Sequence, residues 1–282
     1  MCLAACKSKP VPPVPFVRPR ASLHFVSIEA HDVSRVSLDY TLKVENPTPA
    51  DAAFIIEEWN IVINDREMKA EDLNLILGEK DVFSVEPGTG ALPGVREIPV
   101  RLELDIPSLA SAGVPLKDDF TVELVLDMFH TDVLRAPYPM QARETTVFPY
   151  IREPVFTITA IAILKAELIN TRFRVGLRID NPNPFPVELS AFSYKLYGNG
   201  RFWADGTEEN IIRVAGKSTL TGNLFLMMNF IDMPRTLLDQ IINLIDVNYR
   251  FTGEAEIMTG VEYLPKFKSG FDLSGYSQVL DK

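Results

Sequence analysis

Arg172-Phe173-Arg174-Val175-Gly176-Leu177-Arg178-Ile179-Asp180-Asn181-Pro182-Asn183-Pro184 reads first as a strand and then as that strand's end. Phe173, Val175, Leu177 and Ile179 alternate with Arg174, Gly176, Arg178 and Asp180, the period of two that marks a half-buried strand. Asn181-Pro182 then stops it. Proline brings no N–H to a ladder and restricts the residue before it, while asparagine bonds readily to nearby backbone.

Working outward, the same pattern occurs once before in the chain. Ser37-Leu38-Asp39-Tyr40-Thr41-Leu42-Lys43-Val44-Glu45-Asn46-Pro47-Thr48-Pro49 aligns without a gap, at an offset of 181 − 46 = 135. The offset pairs Trp59 with Tyr194, Ile61 with Leu196 and Asn64-Asp65-Arg66 with Asn199-Gly200-Arg201. Asn-Asp and Asn-Gly are tight hairpin turns, each following an aromatic-bearing strand. A repeat this long is a duplicated domain rather than a solenoid unit of about 20–50 residues. The expected organisation is a lipobox remnant and Pro-rich tether over 1–19, one domain over 20–148 and a second over 149–282.

Further alternating stretches fill each copy: Arg101 to Ile106, Phe120 to Met128 with Val122, Leu124 and Leu126 inward, and Tyr249 to Ile257. A helix is expected over Pro234 to Ile245, where Leu237, Leu238, Ile241, Ile242 and Ile245 form an apolar stripe. Its counterpart in the first copy, Pro107 to Gly113, is shorter. Many short alternating strands with turns between them predict a mostly-β chain of two tandem antiparallel sandwiches, each with a short late helix. Arg101 aligns with Asn223, where the offset falls to 223 − 101 = 122, so the first copy is the longer by 135 − 122 = 13. The glycine-rich stretch Gly88 to Gly94 sits at this insertion and reads as a copy-specific contact loop, because it lacks the Gly-Lys-Ser/Thr ending of a phosphate loop.

Glu45-Asn46-Pro47 and Asp180-Asn181-Pro182-Asn183-Pro184-Phe185-Pro186-Val187 resemble the water-stress and hypersensitive-response (WHy) domain of the group 2 late-embryogenesis-abundant proteins. The resemblance covers nearly all of residues 20–280 as two copies; the first has Thr48 where the family often has Asn. It implies an immunoglobulin- or fibronectin-like sandwich, a structural role for Asn46, Pro47, Asp180, Asn181, Pro182, Asn183 and Pro184, and a non-enzymatic protein of stress and desiccation tolerance. It also implies a candidate lipid groove beside the late helix, for which Leu238, Ile241, Ile242 and the Met227 before it are the candidate lining.

Composition agrees with a folded, acidic chain. Of 282 residues 46% are hydrophobic, and 28 Lys+Arg stand against 38 Asp+Glu for a net charge of −10. Mean hydropathy is +0.06, above that of the disordered late-embryogenesis proteins. The acidic balance argues against nucleic acid as a partner, since phosphate affinity comes from clustered Lys and Arg. Three His and two Cys leave no metal site or disulfide framework, and no cofactor is expected.

No catalytic residue is expected either. His24 and His31 have Thr159 and Ala166 as counterparts, and His130-Thr131-Asp132 has no nucleophile motif to serve. Glu57-Glu58, Asp118-Asp119 and Glu208-Glu209 are neighbours in sequence and read as solvated surface charge. Arg172, Arg174 and Arg178 share one strand face that could meet anionic headgroups or an acidic partner.

The start of the chain bears on location. Leu3-Ala4-Ala5-Cys6 resembles a bacterial lipobox, which makes Cys6 the expected lipidation site. Lys9-Pro10-Val11-Pro12-Pro13-Val14-Pro15 follows as an extended tether. A full secretory signal also needs a basic n-region and an apolar h-region of about 7–15 residues. The longest apolar run, Val155 to Leu164, is shorter than the roughly 20 residues of a spanning helix. The expected location is the bacterial cell envelope, with the lipoprotein anchored in a membrane and facing the periplasm or the exterior. Lipids or client proteins are the expected further partners. Under the alternative, Cys2 and Cys6 are plain thiols on a cytoplasmic protein.

Overall fold

The computed structural model describes residues 17–69, 72–78, 82–89, 92–132, 135–165, 169–229, 247–277 and 280–281. Strand dominates these residues, and the sheets are mostly antiparallel. The chain divides into two compact units. The first holds 1–27, 37–104 and 121–147; the second holds 28–36, 105–120 and 148–282.

In the first half of the chain, β1 (Arg20–Asp32), β2 (Arg35–Asn46), β7 (Gly94–Asp105) and β5 (Asn74–Leu77) form one sheet in the order β1-β2-β7-β5. The other sheet runs β4-β3-β8-β9, from β4 (Arg66–Met68), β3 (Ala52–Ile63), β8 (Asp119–Asp132) and β9 (Arg135–Pro149), with β6 (Val82–Val85) paired to β3. The alternation explains the layering. Leu38, Tyr40, Leu42 and Val44 of β2 are buried, as are Phe54, Ile61 and Ile63 of β3 and Val122, Leu124 and Leu126 of β8.

The second half repeats one sheet's order in full and three strands of the other, differing in which edge carries the short fourth strand. Its sheets are β15-β11-β10-β18 and β13-β12-β16-β17, with β14 paired to β12. The strands are β10 (Val155–Lys165), β11 (Ile169–Asn181), β12 (Val187–Gly198), β13 (Arg201–Glu208), β14 (Ile212–Val214), β15 (Ser218–Asn229), β16 (Val247–Met258), β17 (Lys266–Ser277) and β18 (Leu280–Asp281). Aromatic side chains join the two layers: Phe173 on β11 stacks on Trp203 of β13 at 5.5 Å, and Phe156 on β10 meets Phe271 of β17 at 4.7 Å. A Cβ at residue 198 would overlap the Trp203 ring, so the indole can occupy this layer only beside Gly198.

Local detail departs from simple alternation at one matched place. β3 carries a register shift between Ile56 and Glu58, and β12 carries one between Ser190 and Ser193, where Ala191 adopts φ 49°. Ile56 and Ala191 are related by the same offset as the motifs (191 − 56 = 135), so the bulge recurs in both units. It leaves Glu57 and Glu58 both exposed, which the opposed faces of a regular strand would not. The hairpins at Asn64-Asp65 and Asn199-Gly200 use positive φ at both central residues (50° and 71°, 49° and 76°), as a type I′ turn requires.

The helix of the first half is α1 (Ile106–Ser111). It starts one residue earlier than the proline suggests, because the Asp105 carboxylate accepts from the Ser108 N–H at 2.9 Å and so sets the cap. Residues 234–245, where the sequence predicts the other helix, lie outside the described residues, as do Cys2 and Cys6. No helix among the described residues is long and apolar enough to cross a membrane.

Candidate functional site

The motif residues converge on a buried hub at the end of β11. Asn181 is 2% exposed. Its amide nitrogen donates toward three carbonyls: Phe185 at 2.8 Å, Ala215 at 3.0 Å and Val214 at 3.2 Å. Its Oδ1 accepts from the backbone N–H of Asn183 at 3.0 Å and from the Asn183 side-chain amide at 2.9 Å. The β11–β12 loop is thereby tied to itself and to the segment after β14. A buried carbonyl without a partner is costly, and one amide serves three of them here.

The hub recurs at the end of β2. The Asn46 amide reaches Ala50 O at 2.8 Å, Val85 O at 3.0 Å and Glu86 O at 3.2 Å, and its Oδ1 accepts from Thr48 N at 3.0 Å. Val85 and Glu86 correspond to Val214 and Ala215 at an offset of 214 − 85 = 129. The extra length of the first copy therefore splits, with 135 − 129 = 6 falling before Val85 and 129 − 122 = 7 after Glu86. The sequence alone points to the glycine loop for all of it.

Around the hubs, the charged flanks also correspond. Lys43 pairs with Glu45 at 2.9 Å, and Arg178 with Asp180 at 3.1 Å. Asp180 further accepts from the Thr219 hydroxyl at 2.5 Å. The prolines interrupt the ladder as expected from their chemistry, and the Pro182 carbonyl accepts from Lys217 Nζ at 2.7 Å.

The third motif position separates the two hubs. Asn183 is fully buried; its amide donates to Arg152 O at 2.8 Å, and its Oδ1 accepts from Arg152 N at 2.7 Å. The Arg152 guanidinium holds the Leu116 carbonyl at 2.6 Å and Asp118 Oδ1 at 2.6 Å, and lies 4.6 Å from the Tyr150 ring centroid. Lys217 Nζ adds a second cation on Asp118 at 2.7 Å. Lys217 and then Arg152 hold the Asp118 carboxyl below its ordinary range. Tyr263 also donates to the Pro149 carbonyl, and burial pushes its phenol up. Neither Arg152 nor Tyr263 stands out in the sequence, where Arg152 is only part of a domain boundary.

Thr48 cannot make the corresponding clasp. Its hydroxyl lies 2.6 Å from Asn46 Oδ1 and 2.9 Å from Ala50 O, both within its own loop. The residue corresponding to Arg152 is Val17 (152 − 135 = 17). Here a cleft of about 540 Å³ opens, lined by Val17, Arg20, Pro47, Thr48, Pro49 and Leu92 among others. Gly88 closes one side by donating its N–H to Thr48 O at 3.3 Å. The glycine loop and the first motif thus share one wall.

A second cleft, of about 690 Å³, lies on the β13-β12-β16-β17 sheet and is lined by Ser193, Lys195, Asp205, Thr252, Glu254 and Asp272 among others. Neither cleft is lined by His or Cys. Among the described residues no group of three or more His, Cys, Asp or Glu could hold a metal ion. His24 lies 2.9 Å from the Ser22 hydroxyl and is exposed, and buried His130 sits against Phe54 at 5.3 Å. Of the residues proposed for a lipid groove, Leu238, Ile241 and Ile242 fall outside the described residues. Met227 stands exposed on β15, opposite Arg172 of β11.

The fold defines a class, a mostly-β sandwich protein with an asparagine-tied strand end. Residues 176–265 match the family model described as late embryogenesis abundant protein. The match runs from the middle of β11 through the Asn181-Pro182-Asn183 hub to the start of β17, and supports a group 2 late-embryogenesis-abundant domain over that stretch. No curated protein matches the chain. Among solved structures it is similar to a protein from Archaeoglobus fulgidus, at 20% identity over 44% of this chain and 97% of that one, with a TM-score of 0.27. It is also similar to the periplasmic chaperone SfaE, at 10% identity over 93% and 100% of the two chains, with a TM-score of 0.27. Likenesses of that score carry no weight for fold or function.

Proposed function

We propose that the chain is a non-enzymatic group 2 late-embryogenesis-abundant protein with two such domains. In this reading it is held at the bacterial cell envelope by a lipid on Cys6 and protects or scaffolds other proteins under stress or desiccation. The observation that carries the reading is the buried hub. The side chains that define the motif are spent on backbone carbonyls, so their chemistry serves a rigid fold rather than a reaction. The family match over 176–265 supports the assignment for the second domain. The same hub on Asn46 and the largely shared strand order support extending it to the first.

Protection is tested by drying a labile enzyme with this protein or with an equal mass of albumin. More surviving activity than with albumin is expected; equal survival contradicts the reading. Anchoring is tested by labelled palmitate in the native host, using the gene with all its upstream in-frame sequence. Label that disappears in Cys6→Ala is expected, and absence of label in both chains removes the anchor.

A further inference from the structure

The second unit has two unlike ends. At the hub end, Asn181 pairs with Ser218, Val187 with Val214 and Met258 with Lys266. At the opposite end, β10, β12, β15 and β17 finish and β13 begins. Among the described residues, most of this unit's exposed large apolar side chains stand toward that end: Leu164 (40% exposed), Phe202 (51%), Phe225 (65%), Met227 (59%) and Tyr276 (76%). They stand on several strands of both sheets, toward this end of each.

Arginines are interleaved with them. Arg172 is opposite Met227, and Arg174 is opposite Phe225. Arg201 opens β13 next to Phe202. None of Arg172, Arg174 and Arg201 has an ion-pair partner among the described residues. Arg250, by contrast, is held by Asp272 through contacts of 2.5, 2.8 and 3.1 Å. Arg172, Arg174 and Arg201 supply positive charge in a chain whose net charge is −10.

The first unit shows that the fold does not demand this. Arg174 corresponds to Asp39, whose carboxylate takes Arg101 at 2.6 and 2.9 Å. Phe225 corresponds to Glu103 (225 − 122 = 103), which accepts from Asn74 at 2.7 Å. There the two corresponding positions are carboxylates, and each is matched by a neighbour.

We propose that this end of the second unit docks on an anionic phospholipid bilayer. Phe225, Met227, Phe202, Tyr276 and Leu164 would enter the headgroup boundary, with Arg172, Arg174 and Arg201 on the phosphates. Exposed apolar side chains spread over two sheets suit a surface that can be penetrated, whereas a rigid protein partner needs a complementary pocket. Guanidinium groups match phosphate in two-point geometry, and each basic residue near an anionic leaflet strengthens partitioning about fivefold. The contact does not depend on a lipid at Cys6, and it sets the second unit's hub end away from the membrane.

The test is flotation of the full chain carrying Cys2→Ser and Cys6→Ser, so that anchoring and docking fail separately. The vesicles are phosphatidylcholine alone, or phosphatidylcholine and phosphatidylglycerol in equal parts. Binding to the anionic vesicles is expected, weakened by salt and undiminished by free glycerol phosphate. Arg172→Glu with Arg174→Glu should lower partitioning about thirtyfold or more, about fivefold for each arginine lost. Phe225→Ser with Met227→Ser should lower it with both charges intact. Val155→Asp, exposed at the hub end opposite Asp180, should leave it unchanged. No vesicle binding, equal binding to neutral vesicles, competition by glycerol phosphate, or loss in Val155→Asp matching that of the arginine pair would each overturn the proposal.

Discussion

Asn183 and Thr48 occupy the same place in two loops of the same build, and the chain around them is arranged differently. Asn183 carries two N–H donors and an acceptor, enough to serve Asn181 and still clasp both backbone groups of Arg152. Thr48 has one hydroxyl proton and a short reach, so its contacts stay inside the loop. The entry to the second unit is therefore fastened, while a cleft lies at the entry to the first. The two loops differ in whether the third motif residue reaches beyond its own loop.

The largest effect expected from breaking the comparison lies in what the two loops share. Asn181→Ala strips donors from carbonyls of Phe185, Val214 and Ala215, and Asn46→Ala does the same to Ala50, Val85 and Glu86. Each should cost about 3–4 kcal/mol, since a buried polar group left unpaired costs about 1–3 kcal/mol. Urea unfolding can separate the units, because Trp59 reports on the first and Trp203 on the second. A loss below about 1 kcal/mol in either would mean that water replaces the amide.

A smaller effect is read by pH in the first unit. Burial pushes the Tyr40 phenol up to about 12, from an ordinary value near 10. Its counterpart in the second unit is Val175. A raised tyrosine favours the neutral form in the folded state, so its share of stability is whole below pH 10 and is lost as pH climbs toward 12. That share is about 2–3 kcal/mol, at about 1.4 kcal/mol for each pKa unit. Tyr40→Phe should flatten the alkaline decline of the Trp59 transition; an unchanged decline would assign it elsewhere.

The smallest effect sharpens the contrast itself. Asn183→Thr gives the second loop the first loop's residue and should cost the Trp203 transition about 1–2 kcal/mol, the size of the bonds to Arg152. The converse, Thr48→Asn, should raise the Trp59 midpoint; an unchanged midpoint would mean the new amide finds no partner at Val17.

Much of this was legible in the residues, for a physical reason. Period-two burial is a property of single strands, so Leu38 to Val44 and Phe173 to Ile179 declared their inner face without knowledge of partners. The turns at Asn64-Asp65 and Asn199-Gly200 were readable because positive φ narrows the choice of residue. The bulges at Ile56 and Ala191 carried no such mark, since Ala191 is a poor residue for φ 49° and is held there by its neighbours. The hub was visible only in outline. Asn-Pro announced the end of a strand, but four of the carbonyls it serves, at Val85, Glu86, Val214 and Ala215, lie far along the chain from their asparagines. Arg152 and Tyr263 were illegible for the same reason, because each acts through backbone oxygens distant in sequence and no residue type marks an acceptor carbonyl.

The clasp can be observed directly at the Arg152 amide, which donates to Asn183 Oδ1. Hydrogen exchange at that amide, in the native chain and in Asn183→Thr, measures the contrast without unfolding the protein. The account predicts slow exchange at Arg152 in the native chain, markedly faster exchange in the variant, and no change at the Asn181 hub's own loop amides. Exchange at Arg152 that is already fast, or that stays slow after Asn183→Thr, would contradict it.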